Sequence, residues 1–128
     1  HTVLAHVMPM TYMAGILNSI FLPFVMGGQI VVFPGFNMKS AMGFWKTAVK
    51  YQVNTFWLSP TMLRILDIID AKGVYRDYLH EVHAMISVGT APLYPDLREK
   101  FENKYSIRIY QSYGLSETLF LTSEPSED

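Results

Sequence analysis

The chain reads as an α/β domain, a parallel sheet of about five strands with helices packed on it in the order βαβαβαβαβ. Three observations predict it. Short apolar or β-branched runs alternate with stretches of helical periodicity, and Pro and Gly stand at the junctions. A length of 128 residues with 50% hydrophobic content is enough for one buried core. Right-handed crossovers would lay the helices over the sheet and leave ligands beyond the carboxyl ends of the strands.

Residues 2–8 are apolar and strand-compatible, and Pro9 ends them. Residues 12–26 then read as a helix apolar nearly all round, which predicts burial on most sides. Gly27-Gly28 turns the chain into 29–33, a β-branched run closed by Pro34-Gly35 and worded like a central parallel strand. In the next helix Ala41, Phe44, Trp45, Ala48 and Val49 fall at i, i+3, i+4, i+7 and i+8, one apolar stripe, while Lys39, Lys46 and Lys50 point elsewhere. Residues 53–58 form a strand. Ser59-Pro60 is a helix start, a hydroxyl for an orphan N–H followed by proline at the first helical position. Met62, Ile65, Leu66 and Ile69 are expected on the buried face of that helix, with Gly73 as its stop. Residues 74–80 read as a loop with some helical character and 82–88 as a strand. Pro92 or Pro95 opens a helix carrying Leu97, Phe101 and Tyr105, and 107–110 are the last strand. Residues 122–128 read as a polar, acidic, frayed tail. Trp45 and Trp57 are expected in the core.

Composition excludes several functions. Ten Lys and Arg against eleven Asp and Glu, a net charge of −1, give no clustered basic surface for nucleic acid. The absence of Cys removes disulfides, thiolate nucleophiles and Cys-ligated metals, and agrees with a cytoplasmic protein. Residues 7–27 are apolar enough to raise a membrane span, but Pro9, Pro23, Asn18 and Ser19 interrupt them and no Lys or Arg flanks them. No signal peptide is recognisable. His80-Glu81-Val82-His83 lacks the H-E-x-x-H spacing, no Ser lies in G-x-S-x-G, and the eight scattered Met are gap-fillers.

The chemistry concentrates in residues 110–118, YQSYGLSET, where a strand runs into a Gly-centred turn. Tyr113 offers a flat face to a base, Gly114 allows close backbone approach, and Glu117 is a hard oxygen ligand of the kind Mg²⁺ takes beside phosphates. The same residues also make a tight turn with a solvated carboxylate, and spacing alone does not separate the two readings.

This wording resembles the YGxTE motif of the adenylate-forming ligases, which include acyl-CoA synthetases, luciferases and the adenylation domains of peptide synthetases. Val88-Gly89-Thr90-Ala91-Pro92-Leu93 is similar to that family's GGAPL loop, and Pro9-Met10-Thr11-Tyr12-Met13-Ala14-Gly15 to its P-x-x-H-x-x-G segment. With the Gly-Gly and apolar run at 24–34, the resemblance covers nearly the whole chain. It implies a subdomain of the large AMP-binding domain and ATP-dependent activation of a carboxylic acid to an acyl-adenylate, followed by transfer to CoA. Gly89, Thr90 and Ala91 would border the adenine, with Ser112, Tyr113 and Gly114 beside them. Ser116 would contact the α-phosphate, Glu117 would hold Mg²⁺, and Tyr12 with Gly15 would line the acyl pocket. Thr90 replaces the family's second Gly, and Tyr12 replaces an imidazole with bulk and a phenol, or is simply a core aromatic.

The family's phosphate loop, ribose-binding Asp and C-terminal Lys are absent, so the rest of a parent enzyme is an expected partner and the isolated chain is expected to be inactive. A stand-alone nucleotide-binding module and a peptide-synthetase adenylation domain are the alternatives.

Overall fold

Six strands form: β1 (Val3–His6), β2 (Gln29–Val32), β3 (Thr55–Leu58), β4 (Met85–Val88), β5 (Ile109–Leu115) and β6 (Leu119–Ser123). They make one sheet of order β2-β1-β3-β4-β5-β6 in a computed structural model that describes residues 1–115 and 117–125. Every pairing from β2 to β5 is parallel, and β6 adds antiparallel to β5. The fold is therefore the expected α/β sheet with one strand more. Chain order reverses at β1, whose neighbours are β2 and β3. That reversal is where open α/β sheets form their ligand crevice.

One face of the sheet carries the core. Val3, Ala5, Phe56, Leu58, Ile86, Val88 and Ile109 alternate along the strands onto this face. They pack against Phe44, Trp45 and Ala48 of α4 (Phe44–Lys50), Leu63 and Leu66 of α5 (Pro60–Ile69), Leu79 of α6 (Arg76–Glu81) and Phe101 and Tyr105 of α7 (Pro95–Tyr105). The stripe expected around Trp45 is present but broken in two, because residues 42–43 turn between α3 (Met38–Ala41) and α4. Asn37 caps α3 through the N–H groups of Lys39 and Ser40, and the Ser40 hydroxyl accepts from Asn37 N–H, a reciprocal cap. Ser59 caps α5 as expected, accepting from Met62 N–H at 3.2 Å.

The buried face of α5 is rotated from the expected one. Leu63, Leu66, Asp67 and Asp70 are buried, while Met62, Ile65 and Ile69 are half-buried. The cause is electrostatic. Asp67 is ion-paired with Lys100 at 2.6 Å and with Lys104, and Asp70 accepts from the Tyr105 hydroxyl at 2.8 Å, so two carboxylates tie α5 to α7. Burial pushes the Asp67 carboxyl up, but the hydrogen bonds and charges of the two lysines outweigh it and leave it below its ordinary value.

Four further expectations are corrected. The 29–33 run is an edge strand, not a central one: β2 has β1 as its neighbour and leaves Val32 65% exposed. Strand β4 begins only at Met85, because residues 82–83 turn with His83 at φ 50°. The 12–26 helix is not buried on most sides. It is three short pieces, α1 (Met13–Ile16), a π-helical turn (Leu17–Phe21) and α2 (Leu22–Val25). It buries Gly15, Asn18, Ser19 and Pro23 while exposing Ile16, Phe21, Leu22, Phe24 and Val25, so the polar residues face in and the apolar ones out.

The fourth correction is the acidic tail at 122–128. Thr122 and Ser123 belong to β6, and Glu124 meets Arg98 of α7 through two hydrogen bonds of 2.8 Å; residues 126–128 lie outside the described residues. Arg98 also reaches Glu102 at 3.2 Å and donates to Ile109 O at 2.9 Å, so one guanidinium pins the start of β5 and the end of β6 to α7. The Arg98 bond holds the Glu124 carboxyl below its ordinary value. A lowered carboxyl contributes stability above its unfolded value and loses it as pH falls through the folded one. Stability should therefore decline below about pH 4.5, the ordinary Glu value. Arg98→Met should flatten that decline and cost roughly 1–2 kcal/mol at neutral pH. Urea melts of both proteins across acid pH check this, and parallel pH profiles would show that the clamp contributes nothing.

Candidate functional site

At the carboxyl ends of β3, β4 and β5 lies an open cavity of about 270 Å³. Tyr12, Met13, Ala14, Leu17 and Asn18 form its helical wall, Trp57 comes from β3, Gly89 and Thr90 from the loop after β4, and Ser112 to Leu115 from β5. Glu117 stands at the rim, exposed, in the turn between β5 and β6. Three stretches far apart in sequence thus converge because parallel strands all deliver their carboxyl ends to one edge.

The sequence-derived residues divide on inspection. Tyr12, Gly89, Thr90, Ser112, Tyr113, Gly114 and Glu117 share the cavity. Ser116 lies outside the described residues. Ala91 and Gly15 do not line the cavity. A Cβ at Gly15 would stand 2.0 Å from the Pro9 carbonyl oxygen, so this glycine serves the close approach of α1 to the chain leaving β1. Gly114 is not at the centre of a turn: β5 continues through it to Leu115, with a bulge between Tyr113 and Gly114, and residues 117–118 turn ahead of β6. Tyr12 is 43% exposed on the cavity wall, which removes the reading of a core aromatic.

Tyr113, 58% exposed, presents a ring beside the cavity, the position a stacked base requires. Gly89 is fully occupied by its surroundings, since a Cβ there would meet Ser112 Oγ at 2.8 Å. No group of three or more metal-binding side chains exists among the described residues, and His80 spends its Nε2 on Tyr105 O at 3.0 Å. A single rim carboxylate is still the donor set Mg²⁺ takes when phosphates supply its other ligands, so Glu117 fits that ion and does not fit an all-protein metal cage. Asn18, Met13 and Leu17 are lining residues that sequence reasoning missed, and Trp57, expected in the core, is instead half-buried and lines the cavity. The signal available was an amide inside an apolar helical run.

Thr90 is left-handed at φ 73°, a conformation costly for a β-branched residue. Thr90 lines the cavity at the position where the resembling family has glycine. Thr90→Gly should raise stability by about 1 kcal/mol, the relief of strain less the entropy glycine adds to the unfolded chain. Chemical denaturation measures it, and a loss of stability would mean that Thr90 makes contacts worth more than its strain.

Comparison with known proteins places this geometry. The AMP-binding enzyme family model matches residues 1–128. Human mitochondrial acyl-coenzyme A synthetase ACSM3 is 31% identical over 109 residues, covering 81% of the chain and 17% of that protein. Mouse mitochondrial malonate–CoA ligase ACSF3 is 25% identical over 132 residues, covering 96% of the chain and 22% of the relative. Among solved structures, apo MatB from Rhodopseudomonas palustris superposes with a TM-score of 0.81 at 20% identity over 97% of the chain and 23% of its own length. The N-terminal domain of FACL13 from Mycobacterium tuberculosis gives 0.73 at 21% identity, over 91% of the chain and 28% of its own length. The chain thus spans about a fifth of the length of the curated relatives it matches. With the fold, the motif order and the family match in agreement, the chain belongs to the AMP-binding enzyme family of adenylate-forming ligases.

Proposed function

We propose that this chain is the central part of a carboxylic acid–CoA ligase, in which ATP activates the acid to an acyl-adenylate and CoA then receives the acyl group. The observation that carries the reading is the convergence of Tyr12, Gly89, Thr90, Tyr113 and Glu117 on one cavity. Relatives named as CoA ligases support CoA over a carrier protein as acceptor. A protein without Cys suits a reducing compartment such as the cytoplasm, and the two named relatives are mitochondrial.

In the first step a carboxylate oxygen bonds to the α-phosphorus as the bond to pyrophosphate breaks; in the second the CoA thiol forms a thioester and AMP departs. The residues of this chain would act mainly by position. The β4–α7 loop and the Tyr113 ring hold the adenine, Ser116 meets the α-phosphate, and the helical wall with Tyr12 directs the acid toward it. Mg²⁺ held by Glu117 supplies neutralisation of the charge that spreads over the phosphates. The apolar outer side of residues 16–26 supports a further body of chain in the parent enzyme, since it is the kind of surface that packing covers.

Glu117→Gln in the parent should lower ATP–pyrophosphate exchange by orders of magnitude with the fold intact, and wild-type exchange across a Mg²⁺ titration would remove Glu117 from the site. The chain alone should bind Mg-ATP with a dissociation constant on the order of millimolar, about −4 kcal/mol, and turn nothing over. Its cavity is smaller than the usual range for enclosed ligands, so little of a triphosphate is held. Calorimetry giving micromolar binding, or turnover with any acid, would mean that the chain carries a complete site.

A further inference from the structure

The two sides of the cavity are carried differently. Gly89 and Thr90 belong to the loop that leads into α7, and Leu93 and Leu97, on either side of the Pro95 helix start, are buried in the core. Tyr113, Gly114 and Glu117 belong to the β5–β6 hairpin. Strand β5 pairs with β4 only as far as Val88 opposite Gln111; among the described residues 112–115 pair with β6 alone. A two-stranded ribbon is marginal by itself, so the place of its tip is set at its root. Gln111 and Glu124 form that root, with Glu124 N–H donating to Gln111 O at 3.0 Å and Gln111 N–H to the Glu124 carboxylate at 3.3 Å. Arg98, in the first turn of α7, holds it through two bonds of 2.8 Å to Glu124 and one of 2.9 Å to Ile109 O. Glu102, 3.2 Å from Arg98, accepts from Ile109 N–H at 2.8 Å and completes the clamp.

Resting on the ligase reading above, we infer that Arg98 is a positioning residue for Mg-ATP. Through Glu124 it fixes the hairpin that carries Tyr113 and Glu117 relative to the loop that carries Gly89 and Thr90. A guanidinium suits the task, because its planar fork holds both carboxylate oxygens at once and so sets an angle as well as a distance. The lever is long. Extended chain from residue 111 to 115 spans about 13 Å, so a tilt of about 5° at the root moves the far end by about 1 Å. Misplacement of that size can cost on the order of a hundredfold in rate. The helical wall and Trp57 are not on the hairpin, so the place of the acid does not depend on the clamp.

The test uses the parent enzyme and acid-dependent ATP–pyrophosphate exchange, varying Mg-ATP at saturating acid and the acid at saturating Mg-ATP. Arg98→Met should raise the KM for Mg-ATP about tenfold and leave the KM for the acid unchanged. Glu124→Gln should move the same constant in the same direction, and the double variant should be no worse than Arg98→Met, because the two side chains act as one unit. A KM for Mg-ATP that stays at the wild-type value in Arg98→Met overturns the inference however far the melting temperature falls, since the clamp is then structural only. Equal rises for both substrates overturn it as a general loosening, and additive effects in the double variant overturn the route through Glu124. Where Arg98→Met does not fold, Glu124→Gln decides by the same split between the two constants. Exchange with an unchanged KM for Mg-ATP removes the inference alone, whereas a wild type without exchange on any acid removes the ligase reading and the inference together.

Discussion

Trp45 is the point on which the helical layer is hung. Its ring lies 5.2 Å from Phe44, 5.6 Å from Phe56 on β3, 5.8 Å from Tyr75 and 5.9 Å from Tyr105 on α7, so one side chain joins the sheet to both ends of the helical layer. Such ring pairs add about 0.5–1.5 kcal/mol each beyond the area they bury. Around this hub Tyr78 seals the turn after α4. Its hydroxyl reaches the carbonyls of Ala48 at 2.8 Å and Val53 at 2.5 Å, and burial pushes the phenol up to about 12. These contacts hold α4 against β3 and α7 against α5, behind the sheet whose carboxyl ends carry the cavity.

The two faces of the sheet are built on different principles. The core face is apolar and closed by ion pairs at its margin, where Lys100 and Lys104 hold Asp67. Onto the other face alternate Leu4 and His6 of β1 and Ser87 of β4, all buried, and the helical segment that packs near β1 turns Asn18 and Ser19 inward. Burial with no partner for its Nδ1 lowers the pKa of His6. The face that borders the site is thus the polar one. A proton or a hydrogen-bonding ligand has somewhere to act there, and the face opposite carries the stability.

What the sequence disclosed and what it hid follow from the range of the interactions. The stripe from Ala41 to Ala48, the Ser59 cap and the Gly89 and Gly114 segments are local signals, and each was readable from neighbours a few residues away. The rotation of α5 was not, since it depends on lysines more than thirty positions downstream. Nor was β6, whose Thr and Ser read as tail because the residue that anchors its end, Arg98, lies 26 positions before Glu124. The 12–26 segment misled for a different reason. A helix apolar on every side announces burial somewhere but does not say against what, and here its few polar residues take the inner side. In the site, the family-like motifs led to seven of the cavity's residues, while Asn18 was passed over because a lone amide in an apolar run is locally indistinguishable from a tolerated imperfection.

Strand β2 bears on how the molecule behaves in bulk. It is four residues long, pairs on one side with β1 and leaves Val32 bare, and Phe24, Val25 and Met26 ahead of it in the chain are exposed as well. Unpaired backbone groups beside greasy side chains are what a neighbouring molecule needs to add a strand of its own, and no Lys, Pro or inward charge along 29–32 guards against it. Wherever this border is left uncovered, colloidal behaviour is governed by that one margin, and turbidity that grows with protein concentration would originate there instead of in unfolding of the core.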